Sequence, residues 1–138
     1  MNAITTTQAQ ADVDAVRAGF EAVGAGDIAA FADLFHPAAT WNHRNPDRLG
    51  GVKNGIDEIV GFLAASMELT GGTLAPVPTL FMPDGDGNVA VLTQISGTRP
   101  DGRTFDDTQI LYFHLEDGKV LSVDQFIGDP PAVTAFWA

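Results

Sequence analysis

The chain contains no cysteine, which excludes a disulfide framework, a thiolate nucleophile and a thiolate metal site. Basic residues are scarce: 7 lysines and arginines stand against 18 aspartates and glutamates, a formal net charge of −11 over 138 residues. Nucleic acid and anionic membranes are met by basic faces, so neither is an expected partner. No apolar run approaches the roughly 18 residues of a membrane span. The stretch Met1 to Ala11 is polar, with neither the basic nor the apolar segment of a secretion signal. His36, His43 and His114 lack the spacing of a metal site. Gly24-Ala25-Gly26 lacks the third glycine of a dinucleotide loop. No nucleophile elbow surrounds Ser66, Ser96 or Ser122. Asp84-Gly85-Asp86-Gly87-Asn88 opens like a calcium loop, but Val89 and Ile95 stand where that loop needs glycine and glutamate. No metal and no cofactor is expected. The sequence predicts one cytoplasmic domain over residues 11–138 behind a flexible segment at 1–10, with 45% apolar residues to build one core.

What is present divides the chain in two. Val13, Val16, Phe20 and Val23 recur at helical spacing, and Gly24-Ala25-Gly26 ends that helix. Asp27 is placed to cap a second helix burying Ile28, Phe31, Leu34 and Phe35, limited by Pro37. A short strand, Ala39–His43, precedes a polar stretch from Arg44 to Lys53 too rich in Asn, Pro, Asp and Gly for regular structure. Asn54 is placed to cap a third helix with the stripe Ile56, Ile59, Val60, Leu63 and Met67, closed by Gly71-Gly72. The second half predicts strands at Thr73–Met82, Asn88–Thr98, Arg103–Leu115 and Lys119–Ile127, joined by turns short enough to favour antiparallel neighbours. Three helices followed by a strand meander is an α+β order, with the helices on one face of a bent antiparallel sheet.

In this order stand Gly24-Ala25-Gly26-Asp27, then Leu34-Phe35-His36-Pro37-Ala38-Ala39-Thr40-Trp41, Gly55-Ile56-Asp57-Glu58-Ile59, Asp117-Gly118-Lys119-Val120 with Asp124-Gln125-Phe126, and the ending Ala132-Val133 to Phe136-Trp137. Together these motifs resemble the NTF2-like superfamily, and its SnoaL-like branch in particular. The resemblance implies a cone in which a strongly bent sheet wraps a pocket closed by helices. It does not imply one reaction, since such proteins include isomerases, polyketide cyclases, epoxide hydrolases, dehydratases and binding domains.

By that resemblance His43 falls at the general-base position that ends the first strand, where an imidazole among apolar walls would be an available base. The two donor positions of the steroid-isomerase relatives fall on Gly19 and Leu111, and the last-strand acid of the epoxide-hydrolase relatives falls on Gln125. Neither of those sites carries over. If Leu111 faces the pocket, strand alternation turns Asp107, Gln109 and Phe113 inward and Tyr112 and His114 outward. The same alternation places Leu121, Val123, Gln125 and Ile127 inside. The expected site is therefore Trp41, His43, Gln94, Gln109, Phe113 and Gln125, with Asp107 at the rim as a second candidate acid or base. The glutamines read equally as ligand contacts or as a mutually satisfied network, and Asp107 reads also as a solvated strand start. Arg44, Arg48 and Lys53 read as solvated loop residues or as a gate. Two functions fit: a cofactor-independent acid–base enzyme on a small, mostly apolar molecule, or a domain that binds such a molecule without turning it over. Tyr112, His114 and Phe126 together on the outer face suggest a homodimer.

Overall fold

The computed structural model describes residues 7–138. Helix α1 (Gln8–Ala25) opens where Thr7 Oγ1 accepts a hydrogen bond from Gln10 N at 3.1 Å, and it closes at Gly26, whose φ of 70° only glycine adopts at no steric cost. Gln8–Gln10 is therefore the first helical turn and not part of a flexible N-terminus; residues 1–6 of that expectation lie outside the described residues. Asp27 caps α2 (Ile28–Asp33) by accepting from Ala30 N at 3.0 Å. This helix is shorter than its apolar spacing suggests. Ile28 is exposed, and Phe35 already belongs to β1 (Phe35–Arg44), where it still packs on Phe31 with ring centroids 4.8 Å apart. Pro37 lies inside β1, tolerated because ladder pairing to β6 is interrupted between Phe35 and Thr40.

The polar stretch expected to be irregular contains a strand, β2 (Gly51–Asn54), paired antiparallel to β1 with His43 opposite Gly51. Asn54 consequently ends a strand and does not cap α3 (Ile56–Leu69). Gly55 holds the cap position, and Glu58 Oε1 reaches back to accept from Asn54 N at 3.0 Å. The later strands β3 (Ala75–Pro83), β4 (Asn88–Thr98), β5 (Thr104–Glu116) and β6 (Lys119–Phe126) fall within two residues of the expected runs.

All six strands form one curled sheet in the order β2-β1-β6-β5-β4-β3. Four of the five pairings are antiparallel; β1 and β6 pair parallel, a contact between distant parts of the chain that no hairpin can make. Helices α1 and α3 cover its inner face, packing on β3 and β1. Alternation along β4 and β5 is complete: Val89, Val91, Thr93 and Ile95, then Asp107, Gln109, Leu111, Phe113 and Leu115, are buried. Along β6, Val123 and Gln125 face inward as parity requires, but a register slip at His114/Leu115 brings in Val120 where Leu121 was expected.

A fourth helix, α4 (Pro130–Trp137), follows β6. Asp129 caps it by accepting from Ala132 N at 3.2 Å, and Pro130 and Pro131 occupy first-turn positions that need no donor. It buries Val133, Phe136 and Trp137 with Leu49 and Phe105, closing one end of the curled sheet.

Candidate active site

Between α1, α3 and the sheet lies a cavity of about 100 Å³. Its walls are overwhelmingly apolar, including Phe20 and Val23 from α1, Ile59 and Phe62 from α3, Leu111 and Phe113 from β5, and Trp137 from α4. Gly19 and Leu111 both line it, so the positions that carry hydroxyl donors in the isomerase-type resemblance here carry none. The polar lining is brief: His43, Ser66, Gln109, Gln125 and the indole edge of Trp41.

Of the seven expected site residues, Trp41, His43, Gln109, Phe113 and Gln125 meet at this cavity. Gln94 does not. Parity along β4 turns Thr93 and Ile95 inward and Gln94 outward, where its amide donates to Asp106 Oδ1 at 2.6 Å and accepts from Thr108 Oγ1 at 2.8 Å. Asp107 is buried but stands outside the lining. Its carboxylate accepts from Gln109 Nε2 at 3.0 Å, Gly128 N at 3.1 Å and Asp129 N at 3.0 Å, bracing the turn from β6 into α4. That turn is tight, since a Cβ on Gly128 would sit 2.3 Å from Thr108 O. Both predicted readings of Asp107, solvated strand start and rim base, give way to a buried brace.

The residue that sequence reasoning missed is Asp47. The side chains of Asp47 and His43 are 0% and 3% exposed, with Oδ2 lying 2.9 Å from His43 Nε2. Asn45-Pro46-Asp47 turns the chain back after β1, and Asp47 Oδ1 accepts from Leu49 N at 2.8 Å, an Asx turn that returns the carboxylate under the preceding histidine. Asn45 Nδ2 adds a contact to Oδ2 at 2.6 Å. An Asn-Pro-Asp turn four residues beyond a strand-end histidine is the signal that was available. Burial pushes the Asp47 carboxyl upward, but hydrogen bonds from His43 and Asn45, the His43 charge and the Leu49 N–H outweigh it and hold the group below the usual aspartate range.

The expected loop cations have separate roles. Lys53 Nζ donates to Leu49 O at 2.7 Å and Gly50 O at 2.9 Å and lies 5.2 Å from the Phe62 ring centroid, stitching the Asp47 loop to α3. Burial pulls its ammonium below the ordinary lysine range, against the opposing pull of Asp47 and Glu58. Arg44 pairs with Asp124 at 2.8 Å on the outer face, and Arg48 is exposed.

The network has a fixed polarity. Trp41 Nε1 can only donate, and it does so to Gln125 Oε1 at 2.9 Å. At the other end the Asp107 carboxylate can only accept, so Gln109 turns Nε2 toward it and presents Oε1 to Gln125 Nε2 at 2.7 Å. Both ends therefore aim Gln125 Oε1 at His43 Nδ1, 3.2 Å away, so a hydrogen bond there needs Nδ1 as its donor. Nε2 faces the Asp47 carboxylate, which likewise only accepts. Both partners of the ring are thus acceptors.

A profile of the SnoaL-like domain matches residues 16–123. The chain belongs to the SnoaL-like family. An uncharacterized protein of Mycobacterium tuberculosis is 27% identical to this SnoaL-like chain over 128 residues, covering 93% of it and 97% of the relative. Among solved structures, Bal32a from a soil-derived mobile gene cassette superposes with a TM-score of 0.92 at 25% identity, covering 95% of this chain and 99% of Bal32a. TerC, co-crystallized with polyporic acid, superposes with a TM-score of 0.81 at 26% identity, covering 91% of this chain and 97% of TerC. The NTF2-like fold expected from the sequence is the fold observed. Among the described residues no helix is long and apolar enough to cross a membrane.

Proposed function

We propose that the chain is a cofactor-independent acid–base enzyme, of the cyclase, dehydratase, isomerase or hydrolase type, acting on a small and mostly apolar molecule. The observation that carries this reading is a buried histidine in an apolar cavity backed by a carboxylate at 2.9 Å. His43 is the proton-transferring group and Asp47 the residue that positions it. Acting as an acid, His43 gives its Nδ1 proton to a ligand oxygen, the 3.2 Å bond to Gln125 being the longer of its two contacts. The ring is then neutral, keeps Nε2–H on Asp47, and Nδ1 takes a proton back from the ligand. Trp41 and Phe113 form apolar wall, Gln109 and Gln125 contact the ligand, and Asp107 braces rather than transfers protons. That TerC, 26% identical, was co-crystallized with polyporic acid supports an organic molecule as ligand.

The test is a panel of small enones, epoxides and polyketide mimics incubated in D₂O and followed by mass spectrometry for conversion or deuterium uptake. Activity of the native protein falling on the order of 10²–10⁴-fold in His43→Gln supports the reading, because glutamine keeps hydrogen bonding but cannot transfer a proton. Full activity in that variant refutes it.

A second reading, a ligand-binding domain without turnover, draws on one observation: both His43 nitrogens already have protein partners. Ligand binding with no conversion of any panel member favours it. In either case a homodimer through the outer sheet face fits the exposure of Ile110, Tyr112 and Phe126 there.

A further inference from the structure

Amide groups carry two N–H donors and one oxygen with two lone pairs, and counting them along the polar wall gives an uneven remainder. Gln125 Oε1 is full, receiving Trp41 Nε1 at 2.9 Å and His43 Nδ1 at 3.2 Å. Gln125 Nε2 gives one hydrogen to Gln109 Oε1, and Gln109 Nε2 gives one to Asp107 Oδ2. Each amide nitrogen therefore keeps a second N–H, on residues that are 7% and 2% exposed and line the cavity. On the acceptor side, Gln109 Oε1 already has a partner, and Ser66 has given its proton to Leu63 O at 2.7 Å. An oxygen with one idle lone pair is tolerated in protein interiors more readily than a buried N–H with no acceptor. The unmet demand is for an acceptor.

Volume limits what can carry that acceptor. A cavity of about 100 Å³ is smaller than the roughly 150 Å³ engineered cavity that holds benzene. A single ring is the size of that order, and a substituent has to extend into the open side of the pocket.

Resting on the acid–base reading of the same site, we propose that the cavity selects an uncharged, single-ring molecule bearing a carbonyl-type oxygen, which accepts the free amide N–H groups of Gln109 and Gln125 beside His43. The acceptor oxygen is then the atom next to the proton donor, so recognition and proton transfer address one group.

The experiment compares acetophenone with ethylbenzene, nearly the same shape without the oxygen, by titration into the ¹⁵N-labelled protein. A purely apolar cavity prefers ethylbenzene, because the ketone must shed its hydration with no return. The expected result is the reverse: acetophenone binds on the order of tenfold more tightly, the gain of one or two net hydrogen bonds, and shifts the side-chain amide resonances of Gln109 and Gln125. In Gln109→Met the preference for acetophenone shrinks. Ethylbenzene binding as tightly as acetophenone to the native protein overturns the proposal, and that comparison needs no variant to fold. 2-Acetylnaphthalene binding more tightly than acetophenone overturns the single-ring limit. The readout is affinity alone. An acceptor preference without turnover therefore leaves this inference standing while the enzyme reading fails, and turnover without the preference does the opposite.

Discussion

Replacing Asp47 by Asn changes one atom's chemistry and leaves the side chain's shape, so it isolates the carboxylate behind His43. In the native protein that carboxylate accepts from His43 Nε2 at 2.9 Å, Asn45 Nδ2 at 2.6 Å and Leu49 N at 2.8 Å. An asparagine can keep its oxygen on Leu49 N, but its NH₂ then faces two donors. His43 can relieve one of these clashes by moving its proton off Nε2, and Asn45 the other by turning its amide, whose Oδ1 has no partner. A hydrogen bond to a charged group is worth about 1.5–3 kcal/mol, and breaking a buried pair outright costs about 3–5 kcal/mol. Because both neighbours can adjust, the lower range applies, and a loss of about 2–3 kcal/mol at pH 7 is expected. Urea unfolding followed by circular dichroism measures it, as a drop in midpoint at unchanged m-value. A change below about 0.5 kcal/mol, the usual effect of a surface substitution, refutes the pairing.

The same variant predicts a pH signature. Asp47 titrates lower in the folded protein than an ordinary aspartate. Its stabilisation is therefore fully present above the unfolded aspartate value of about 3.9 and is lost as pH falls through the folded value. The gap in stability between native protein and Asp47→Asn should narrow on acidification below about pH 4. A gap that stays constant into that range locates the effect elsewhere. In ¹⁵N spectra at one fixed pH, the signal of the His43 Nε2–H that Asp47 accepts should vanish in the variant.

Gly128→Ala introduces a Cβ at 2.3 Å from Thr108 O and 2.8 Å from Asp107 Oδ1; the turn must move, and a thermal melt should show a loss of about 1–3 kcal/mol, with no loss refuting the brace assigned to Asp107. Tyr112→Lys together with Phe126→Glu, both outer-face residues exposed by 39% and 46%, should convert a dimer to a monomer in light scattering with an unchanged melting profile at low concentration; a native monomer at micromolar concentration removes the dimer.

What could be read in the sequence follows from which physical signals act locally. Strand alternation is a local property, so fixing Leu111 inward was enough to put Gln109, Phe113 and Gln125 on the cavity side. The same rule applied to β4 excludes Gln94, because Val89, Val91 and Ile95 of that run share the opposite parity and are the buried set. Apolar residues outvote a polar one in setting which face is core, and that vote was legible. The parallel pairing of β1 with β6 was not, because it joins residues about eighty positions apart and no turn announces it. That pairing aligns His43 with Gln125 and so creates half of the histidine's environment. The other half comes from a turn that composition marked as irregular. Gly, Asn, Pro and Asp do exclude regular helix or strand interiors, but an irregular backbone held by Asx bonds and by Lys53 is still a fixed backbone. It places Asp47 as rigidly as a strand would. On the proposed acid–base reading, the carboxylate there holds the His43 ring, so the loop and not the sheet alone sets the chemistry this cavity could offer.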